Sequence, residues 1–326
     1  MKTRKLGPQG PDITTVGFGA WAIGGPWRFG WGSVDDRESV AAIRHAIEGG
    51  VNWVDTAAVY GLGHSEEVTA QAIEPFAVGE EVLVFTKCGQ NWYESDDDRP
   101  VPDLRPDSIR FECDQSLKRL NVERIDLYQF HWPDDATGTH VEDSWGAVGE
   151  LIDEGKVRWG GVSNFDTALL ERCEAVRHVD SLQPPLSLIN RRARNDVIPW
   201  CAEHGAGVIV YSPMHSGLLT GRFSRERVEQ LEQGDWRKKA PDFTSRLGRN
   251  LDLVHELESI ARELDTTLPA LTVAWTLGVP GVTGAIVGAR RPDQVDGWLP
   301  ASDLELDQKT LARIEDAIEG TKAGEG

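Results

Sequence analysis

The segment "VNWVDTAAVYGLGHSEE", residues 51–67, contains a complete transition from strand to helix. It begins with apolar residues that are typical of a buried strand, and Asp55 stands near the end of that run. Tyr60 follows five residues later, beside Gly61 and Gly63, which permit a sharp bend of the backbone. A helical pattern then starts. The segment therefore predicts one β–α unit with a carboxylate and a phenol at the carboxyl end of its strand.

The same unit recurs along the chain. The apolar runs are nearly continuous rather than alternating, which favours parallel strands that are buried on both faces. Eight such runs in 326 residues predict a single-domain (β/α)8 TIM barrel, with residues 1–326 as one unit. A doubly wound sheet is the alternative, but "GFGAWAIGG" after the first run lacks the GxGxxG spacing of that fold. The predicted strands are residues 15–19, 53–57, 82–87, 126–131, 159–164, 181–187, 207–213 and 284–289.

The segments between these runs have helical patterns. In "DSIRFECDQSLKRL", the residues Ile109, Cys113, Leu117 and Leu120 form one apolar stripe. Ser65 precedes a second helical pattern and is predicted to cap it, and Asp166 is predicted to cap "DTALLERCEAV" in the same way.

Two further segments add to the barrel. The turn "GPQGPD" near the N-terminus predicts a small hairpin that caps the barrel floor. The long connection between strands seven and eight, residues 214–283, includes the polar segment "DWRKKAPDFTSRLGRN", which predicts a lid or extended loop followed by one or two helices.

Bulk properties exclude several classes of protein. A formal net charge of −19 argues against nucleic-acid binding, because phosphates would be repelled. The uncharged stretch 266–289 contains two prolines, so it predicts a helix over 268–278 and a strand over 284–288 rather than a membrane span. The four cysteines form no CxxC pair, and no secretory signal is visible. A cytoplasmic protein is expected, and two basic clusters stand out at 190–194 and 288–294.

Titratable residues stand at or just after the ends of three strands. They are Asp55 and Tyr60, Lys87, and His131. Each has an ordinary alternative role as a turn former, packing residue or surface charge. In a TIM barrel, however, the carboxyl ends of the strands form the active site.

Together these four residues predict a proton donor for carbonyl reduction. A phenol has a pKa of about 10, and a neighbouring ammonium group lowers that pKa. Asp55 would keep Lys87 charged and oriented, and His131 would hydrogen-bond the carbonyl oxygen.

Here the chain resembles the aldo-keto reductases, in the style of their bacterial and potassium-channel-β-like branch. The resemblance covers essentially the whole chain. It rests on "VNWVDTAAVYGLGHSEE", "RLNVERIDLYQFHWPD", "GKVRWGGVSNF", "VIVYSPMHSGLLTGR" and "AIVGARRPDQV", in this order. It implies NADPH bound without a Rossmann domain and reversible reduction of aldehydes or ketones, with Asp55, Tyr60, Lys87 and His131 as the catalytic tetrad. A nucleotide-sensing, weakly catalytic subunit is the alternative.

A metal-dependent hydrolase is a weaker alternative. His131 is the only histidine at a predicted strand end, so no metal is expected.

The resemblance also implies cofactor contacts. Trp21 would line the nicotinamide end, and Tyr211 would stack on the ring. The carboxamide would be held by Ser163, Asn164 and Gln183, although a helix cap before Asp166 is the alternative for the first two. The pyrophosphate would follow Ser212, Pro213, Gly217 and Leu218, and the adenosine 2′-phosphate would contact Gly288, Arg290 and Gln294.

Two departures from the family pattern concern this site. Trp298 stands where relatives often have an Asn or Glu that contacts adenine, so Trp298 either stacks on the adenine or merely packs. "QPPLSLINRR" replaces the more usual "QVEYSLLNR", so the end of strand six is expected to differ in shape.

Tryptophans are concentrated after strands one, three and four. Trp27, Trp31, Trp92 and Trp132 are predicted to form an aromatic mouth that contacts a small carbonyl substrate. The alternative is that some of them pack the loops together. The sequence leaves the identity of the substrate and the oligomeric state open.

Overall fold

The computed structural model describes residues 1–93 and 99–325 and confirms the predicted (β/α)8 barrel. The strands are β1 (Thr3–Lys5), β2 (Asp12–Thr14), β3 (Val16–Gly19), β4 (Trp53–Asp55), β5 (Leu83–Cys88), β6 (Gln90–Asn91), β7 (Val101–Pro102), β8 (Ile125–Phe130), β9 (Val157–Ser163), β10 (Ser181–Gln183), β11 (Gly207–Val210) and β12 (Gly284–Gly288).

The barrel is closed in the order β10-β11-β12-β3-β4-β5-β8-β9. Every neighbouring pair is parallel, including the closing pair of β9 and β10. Since parallel strands all run the same way around a barrel, their carboxyl ends meet at one mouth. The loops that follow the strands therefore converge there.

Eleven helices surround this barrel in the part of the chain described. They are α1 (Asp36–Glu48), α2 (His64–Ile73), α3 (Pro106–Leu120), α4 (Val141–Asp153), α5 (Thr167–Glu174), α6 (Val197–His204), α7 (Arg225–Glu229), α8 (Leu247–Glu263), α9 (Leu268–Leu277), α10 (Pro292–Trp298) and α11 (Gln308–Thr321). Buried apolar residues of these helices belong to one continuous core together with residues of the barrel strands. The uncharged stretch near residue 270 forms α9 and β12, as predicted.

The predicted helix details are confirmed with one exception. The apolar stripe of α3 faces the core, and the Asp166 carboxylate caps α5 by accepting from the Leu169 N–H at 2.9 Å. The prediction that Ser65 caps α2 is wrong. Gly63 is the N-cap, and the buried Ser65 hydroxyl instead donates to the Ala20 carbonyl at 2.9 Å.

The N-terminal hairpin closes the barrel floor, as predicted. β1 and β2 pair antiparallel, and two residues of this hairpin region, Leu6 and Ile13, are buried against the lower layer of the barrel interior. That layer also contains Trp53, Phe85 and Leu127. Apolar side chains therefore fill the barrel floor, and any polar site in the barrel interior has to lie at the opposite end.

The connection between β11 and β12 is long and largely ordered into short elements. It holds α7, α8 and α9 together with single 3-10 turns at Leu218–Thr220, Trp236–Lys238 and Pro241–Phe243. We call residues 225–246 the lid segment. Across residues 1–93 and 99–325, no helix is both long and apolar enough to cross a membrane.

Candidate active site

Alternation along the strands places polar side chains at the barrel mouth. Side chains two residues apart on a strand point to the same side. Asp55, Lys87 and Gln129 lie two residues beyond Trp53, Phe85 and Leu127 of the lower layer, on β4, β5 and β8. All three polar residues are buried. They therefore form the next layer of the interior, at the carboxyl ends of the strands.

Lys87 and Asp55 form a buried ion pair. The Lys87 ammonium donates to Asp55 Oδ1 and, at 2.9 Å, to the Thr56 carbonyl. The two side chains are 0% and 3% exposed, so each charge depends on the other to offset the loss of water. Burial lowers the pKa of Lys87, and the adjacent Asp55 opposes that shift. The predicted role of Asp55, holding Lys87 charged and oriented, is consistent with this geometry.

Two glutamines complete the environment of Asp55. Gln183 Nε2 donates to Asp55 Oδ2 at 2.9 Å, and Gln129 Nε2 donates to the same oxygen at 3.2 Å. Gln183 Nε2 also donates to Gln129 Oε1 at 3.0 Å. Gln183 was predicted as a carboxamide contact, whereas Gln129 was not identified from the sequence. Its signal was the two-residue spacing from the apolar Leu127 on β8.

The Tyr60 ring lies between the ion pair and His131. Lys87 Nζ is 5.2 Å from the Tyr60 ring centroid, and the Tyr60 and His131 rings are 5.4 Å apart in an edge-to-face arrangement. The pKa of Tyr60 is raised well above its usual value by burial, then by the charges of Asp55 and Tyr211. The prediction that Lys87 leaves the phenol with a lowered pKa is therefore wrong in its net direction, because burial and Asp55 prevail.

The loop that carries Tyr60 depends on two glycines. Gly61 and Gly63 have φ values of 64° and 104°, in the left-handed region. A Cβ on Gly61 would lie 1.8 Å from the Gly24 carbonyl oxygen. The bend inferred from the sequence is therefore present, and it brings the loop after β4 against the loop after β3.

His131 follows directly after β8, and its backbone N–H donates to the Cys88 carbonyl at 3.0 Å. Burial and the nearby Lys87 charge hold the pKa of His131 well below its usual value, so the imidazole is neutral. Among the residues that the structure describes, no group hydrogen-bonds its buried Nδ1 atom. Buried polar atoms normally have a partner, so this nitrogen is available to a bound polar group.

The predicted nicotinamide residues lie together beside this cluster. Asn164 Nδ2 donates to the His131 carbonyl at 3.0 Å, and Tyr211 donates its hydroxyl proton to Asn164 Oδ1 at 2.8 Å. Ser163 donates its hydroxyl proton to the Gln183 carbonyl at 2.8 Å. Asn164 has a φ of 63°, an uncommon conformation that is often found at functional sites. The alternative role considered for Ser163 and Asn164 was a helix cap. The structure assigns the N-cap of α5 to Asp166 instead.

The loop after β11 has an unusual backbone. Four of the six residues from 212 to 217 have left-handed φ values between 48° and 89°: Ser212, His215, Ser216 and Gly217. The side chains of Pro213 and Leu218 are buried. Any contact of these two residues with a pyrophosphate would therefore be made through the backbone, a common arrangement in phosphate-binding loops.

The predicted phosphate residues follow β12, which ends at Gly288. Gln294 Oε1 accepts the Arg290 backbone N–H at 2.7 Å, which fixes the turn. The Arg290 guanidinium donates to the backbone carbonyls of Trp31, at 3.4 Å, and Ser33. Neutral acceptors thus hold it over the mouth, and within residues 1–93 and 99–325 no carboxylate accepts a hydrogen bond from its guanidinium.

Neighbouring arginines differ in their charge balance. Arg291 is paired with Asp293, with Nε to Oδ1 at 2.9 Å. Burial, followed by the charges of Arg291 and Arg237, lowers the pKa of Arg290. Arg237 was not identified from the sequence, and it comes from the lid segment, where it pairs with Asp235. Arg290 therefore lies in a region of positive potential, as an anion-binding residue would.

The mouth tryptophans form two groups. Trp21 packs edge-to-face on Trp31 at 5.2 Å and parallel to Trp236 of the lid segment at 6.2 Å. Trp31 also lies under the Arg237 guanidinium, 4.3 Å from its ring centroid. Trp31 thus packs between the first loop and the lid segment, which is the alternative role considered for some mouth tryptophans.

The second group lies around Tyr60. Trp27 is 6.3 Å from the Tyr60 ring, and Trp92 is buried in the same apolar cluster as Tyr60. Trp132 is 47% exposed beside His131. Trp27 and Trp92 are therefore the predicted substrate residues that the structure brings next to the phenol. Trp298, by contrast, is buried in the helical layer and packs there.

Within the described part of the chain, no group of three or more His, Cys, Asp or Glu side chains is arranged to hold a metal ion. The four residues at the mouth contribute only Asp55 and His131 as potential ligands. A nicotinamide fits this site better than a metal ion does. The Asn164 amide could hold a carboxamide, and the unpartnered Nδ1 atom of His131 lies beside the Tyr60 ring.

Comparison with known proteins supports the same conclusion. Residues 15–319 match the family model described as the aldo/keto reductase family. The chain is 33% identical over 319 residues to Aldo-keto reductase YhdN of Bacillus subtilis (strain 168), covering 95% of this chain and 93% of that protein. It is 30% identical over 332 residues to an NADH-specific methylglyoxal reductase of Escherichia coli (strain K12), covering 98% and 100% respectively.

A solved structure is also similar. The glycerol dehydrogenase from Gluconobacter oxydans has a TM-score of 0.87 and 34% sequence identity, with 98% of this chain and 95% of that chain covered. The similarity thus extends over nearly the full length of both chains.

Proposed function

The chain belongs to the aldo/keto reductase family, and on that basis we propose that it reduces aldehydes or ketones to alcohols, reversibly, with Tyr60 as the proton donor. The observation that carries this proposal is the juxtaposition of the Tyr60 ring, the buried Lys87–Asp55 pair and the neutral His131. A bound nicotinamide would supply the hydride in reduction and accept it in oxidation.

The chain's own groups would manage the proton. A phenol is protonated at neutral pH, and burial raises the pKa of Tyr60 further, so Tyr60 would donate its proton to the carbonyl oxygen as charge develops there. Lys87 would stabilise the resulting phenolate, and Asp55 keeps the ammonium in place. The neutral His131 ring would hydrogen-bond the carbonyl oxygen and so orient it.

The cofactor would lie across the mouth. Ser163, Asn164 and Gln183 would hold the carboxamide, Tyr211 would stack on the ring, and the backbone of residues 212–218 would approach the pyrophosphate. Arg290 would contact a 2′-phosphate, so we propose NADPH as the preferred cofactor. One relative is by name NADH-specific, and the proposal therefore depends on the behaviour of Arg290.

Replacing Arg290 by alanine should weaken NADPH binding about 10- to 150-fold, since a charge-assisted hydrogen bond contributes about 1.5–3 kcal/mol. NADH binding should barely change, because NADH has no 2′-phosphate. Fluorescence titration of both cofactors would measure this. Arg291→Ala is the matched control, because Arg291 is neutralised by Asp293. Equal weakening of both cofactors by Arg290→Ala would contradict the assignment.

We propose small carbonyl compounds as the substrates. Methylglyoxal and glycerol, which appear in the names of two relatives, are three-carbon molecules. In this chain, Trp27 and Trp92 pack close to Tyr60 and would limit the space next to the phenol. NADPH and NADH oxidation should be measured against a panel of small aldehydes, ketones and sugars. If none of these compounds were turned over, a nucleotide-sensing role would be favoured instead.

Exhaustive treatment with EDTA should leave carbonyl reduction unchanged. The proposed chemistry uses a phenol, an ammonium group and an imidazole, and the residues described hold no ligand set for a metal ion. The measurement is the rate before and after chelation, with zinc or magnesium added back to one sample. Loss of activity that a metal restored would contradict the proposed mechanism.

A further inference from the structure

A second cavity opens beside the barrel mouth, and among its lining residues only His215 lies in a segment assigned to the cofactor. Its volume is about 640 Å³, and its walls come from the loop after β10, the loop after β11, the lid segment and the C-terminal tail. We call it the arginine cavity, because Arg191, Arg192, Arg194 and Arg246 line it. The first three belong to the basic segment "NRRAR", which the proposed reaction does not use.

The charges in this cavity do not cancel. Arg246 NH1 pairs with Asp242 at 3.2 Å, and Arg194 NH1 pairs with Glu315 at 3.3 Å. Arg191 donates only to a neutral acceptor, the Leu188 carbonyl. Arg192 is exposed, and no side-chain partner is found for its guanidinium in the described residues.

Nearby carboxylates compensate Arg191 only in part. Burial and the charge of Arg194 lower the pKa of Arg191, while Glu315 and Glu325 oppose this shift. Four guanidinium groups line the cavity, against the carboxylates of Asp242, Glu315 and Glu325, in a protein whose formal net charge is −19. Because the net negative charge of the protein repels anions on average, a local excess of arginine, here as around Arg290, can attract them.

A hydrogen-bonded chain stiffens one wall of the cavity. His215 Nδ1 lies 3.1 Å from Ser187 Oγ, and His215 Nε2 lies 3.0 Å from Asp242 Oδ2. The order Ser–His–Asp is that of a hydrolase triad, but Ser187 is only 1% exposed and its oxygen already accepts the Asn190 N–H at 2.9 Å. The chain therefore joins the loop after β11 to the lid segment and supplies no nucleophile.

We propose that the arginine cavity binds the phosphate group of a small organic phosphate, at a site separate from the nicotinamide nucleotide. Guanidinium forks match phosphate oxygens in pairs. The charge of Arg191, which is compensated only in part, and that of Arg192 would attract a phosphate monoester, which carries about −1.5 to −2 at neutral pH. The volume exceeds that of a phosphate ion and falls within the range of small-molecule sites. This proposal does not rest on the proposed reductase activity.

Calorimetric titration of the full-length protein would test this proposal. Inorganic phosphate and ribose 5-phosphate should each bind saturably at constant pH and ionic strength, with chloride as the balancing salt. Arg192→Gln should weaken both about 10-fold or more, because one charge-assisted contact is lost. Arg192 is exposed, so this variant should fold normally. Arg37→Gln, which removes the same charge from a side chain that is 94% exposed on α1, should bind like the wild type.

The outcomes separate the sources of the ligand. Tighter binding of ribose 5-phosphate than of inorganic phosphate would identify an organic phosphate as the occupant, and equal binding would identify the phosphate group alone as the recognised unit. Absence of saturable binding at millimolar phosphate, or equal weakening by Arg192→Gln and Arg37→Gln, would overturn the proposal. If either phosphate compound competed with NADPH, and Arg192→Gln abolished that competition, the cavity would not be separate from the nucleotide site.

Discussion

Replacing Tyr60 by phenylalanine should lower kcat for carbonyl reduction by about 10²–10⁴-fold, the usual contribution of a general acid. The hydroxyl is the only group removed. The ring itself packs against the apolar cluster that contains Trp92 and lies 5.4 Å from the His131 ring, and phenylalanine preserves both contacts. Cofactor affinity should therefore change little, and stability should be nearly that of the wild type.

The measurement is single-turnover reduction with bound cofactor, together with a cofactor titration. Tyr93→Phe is a matched control, because Tyr93 also carries a phenol near the mouth, and its hydroxyl oxygen accepts a hydrogen bond from the Arg119 guanidinium at 2.5 Å. That variant should retain wild-type turnover. If Tyr60→Phe turned over as fast as the wild type, the proton would have to come from another group, and His131 would be the first candidate.

The pattern of strands was predictable because parallel strands of a barrel are buried on both faces. Each of the eight barrel strands begins within two residues of its predicted first residue, but several strands end earlier than predicted. The prediction over 181–187 is the clearest case. The strand ends at Gln183, since the next two residues are Pro184 and Pro185, which have no N–H to donate to a neighbouring strand.

The residues proposed as catalytic could be selected from the sequence because each is a titratable group at, or a few residues after, the end of an apolar run. Gln129 escaped notice because an amide within "DLYQFH" has no such signature, and its partners lie 54 and 74 residues away in sequence. Ser65 was misassigned for a related reason. Its pattern is that of a cap, but its partners Ala20 and Thr56 are brought to it only by the folded barrel.

The direction of the Tyr60 pKa could not be deduced from the sequence either. A lysine near a tyrosine predicts a lowered pKa, whereas burial and a nearby carboxylate raise it. Which effect prevails depends on how far each group is from water and from the others. In the fold, the Lys87 ammonium group pairs with Asp55, and the carboxylate offsets most of its effect on the pKa of Tyr60.

Replacing Lys87 by methionine should abolish most carbonyl reduction and move alcohol oxidation to higher pH. Without the ammonium group, which lies 5.2 Å from the Tyr60 ring centroid, the charge of Asp55 acts on the phenol unopposed and raises the pKa of Tyr60 further. Oxidation needs the phenolate as a base. Below the pKa, its rate at a given pH should fall about tenfold for each unit by which that pKa rises.

Stability must be separated from chemistry in this experiment. The Lys87 side chain is completely buried, and removing one member of a buried ion pair costs about 3–5 kcal/mol. The double variant Asp55→Asn/Lys87→Met removes both charges, and an amide oxygen at position 55 can still accept from Gln129 and Gln183. It should therefore recover most of the lost stability in denaturant unfolding.

The activity of the double variant then decides the role of Lys87. If the ammonium group stabilises the phenolate directly, a stable protein without it should remain almost inactive in both directions. Recovery of turnover together with stability would show that Lys87 serves only to neutralise Asp55. A folded Lys87→Met protein whose oxidation rate followed the wild-type pH profile would also contradict the coupling, because the phenol would then titrate independently of its charged neighbour.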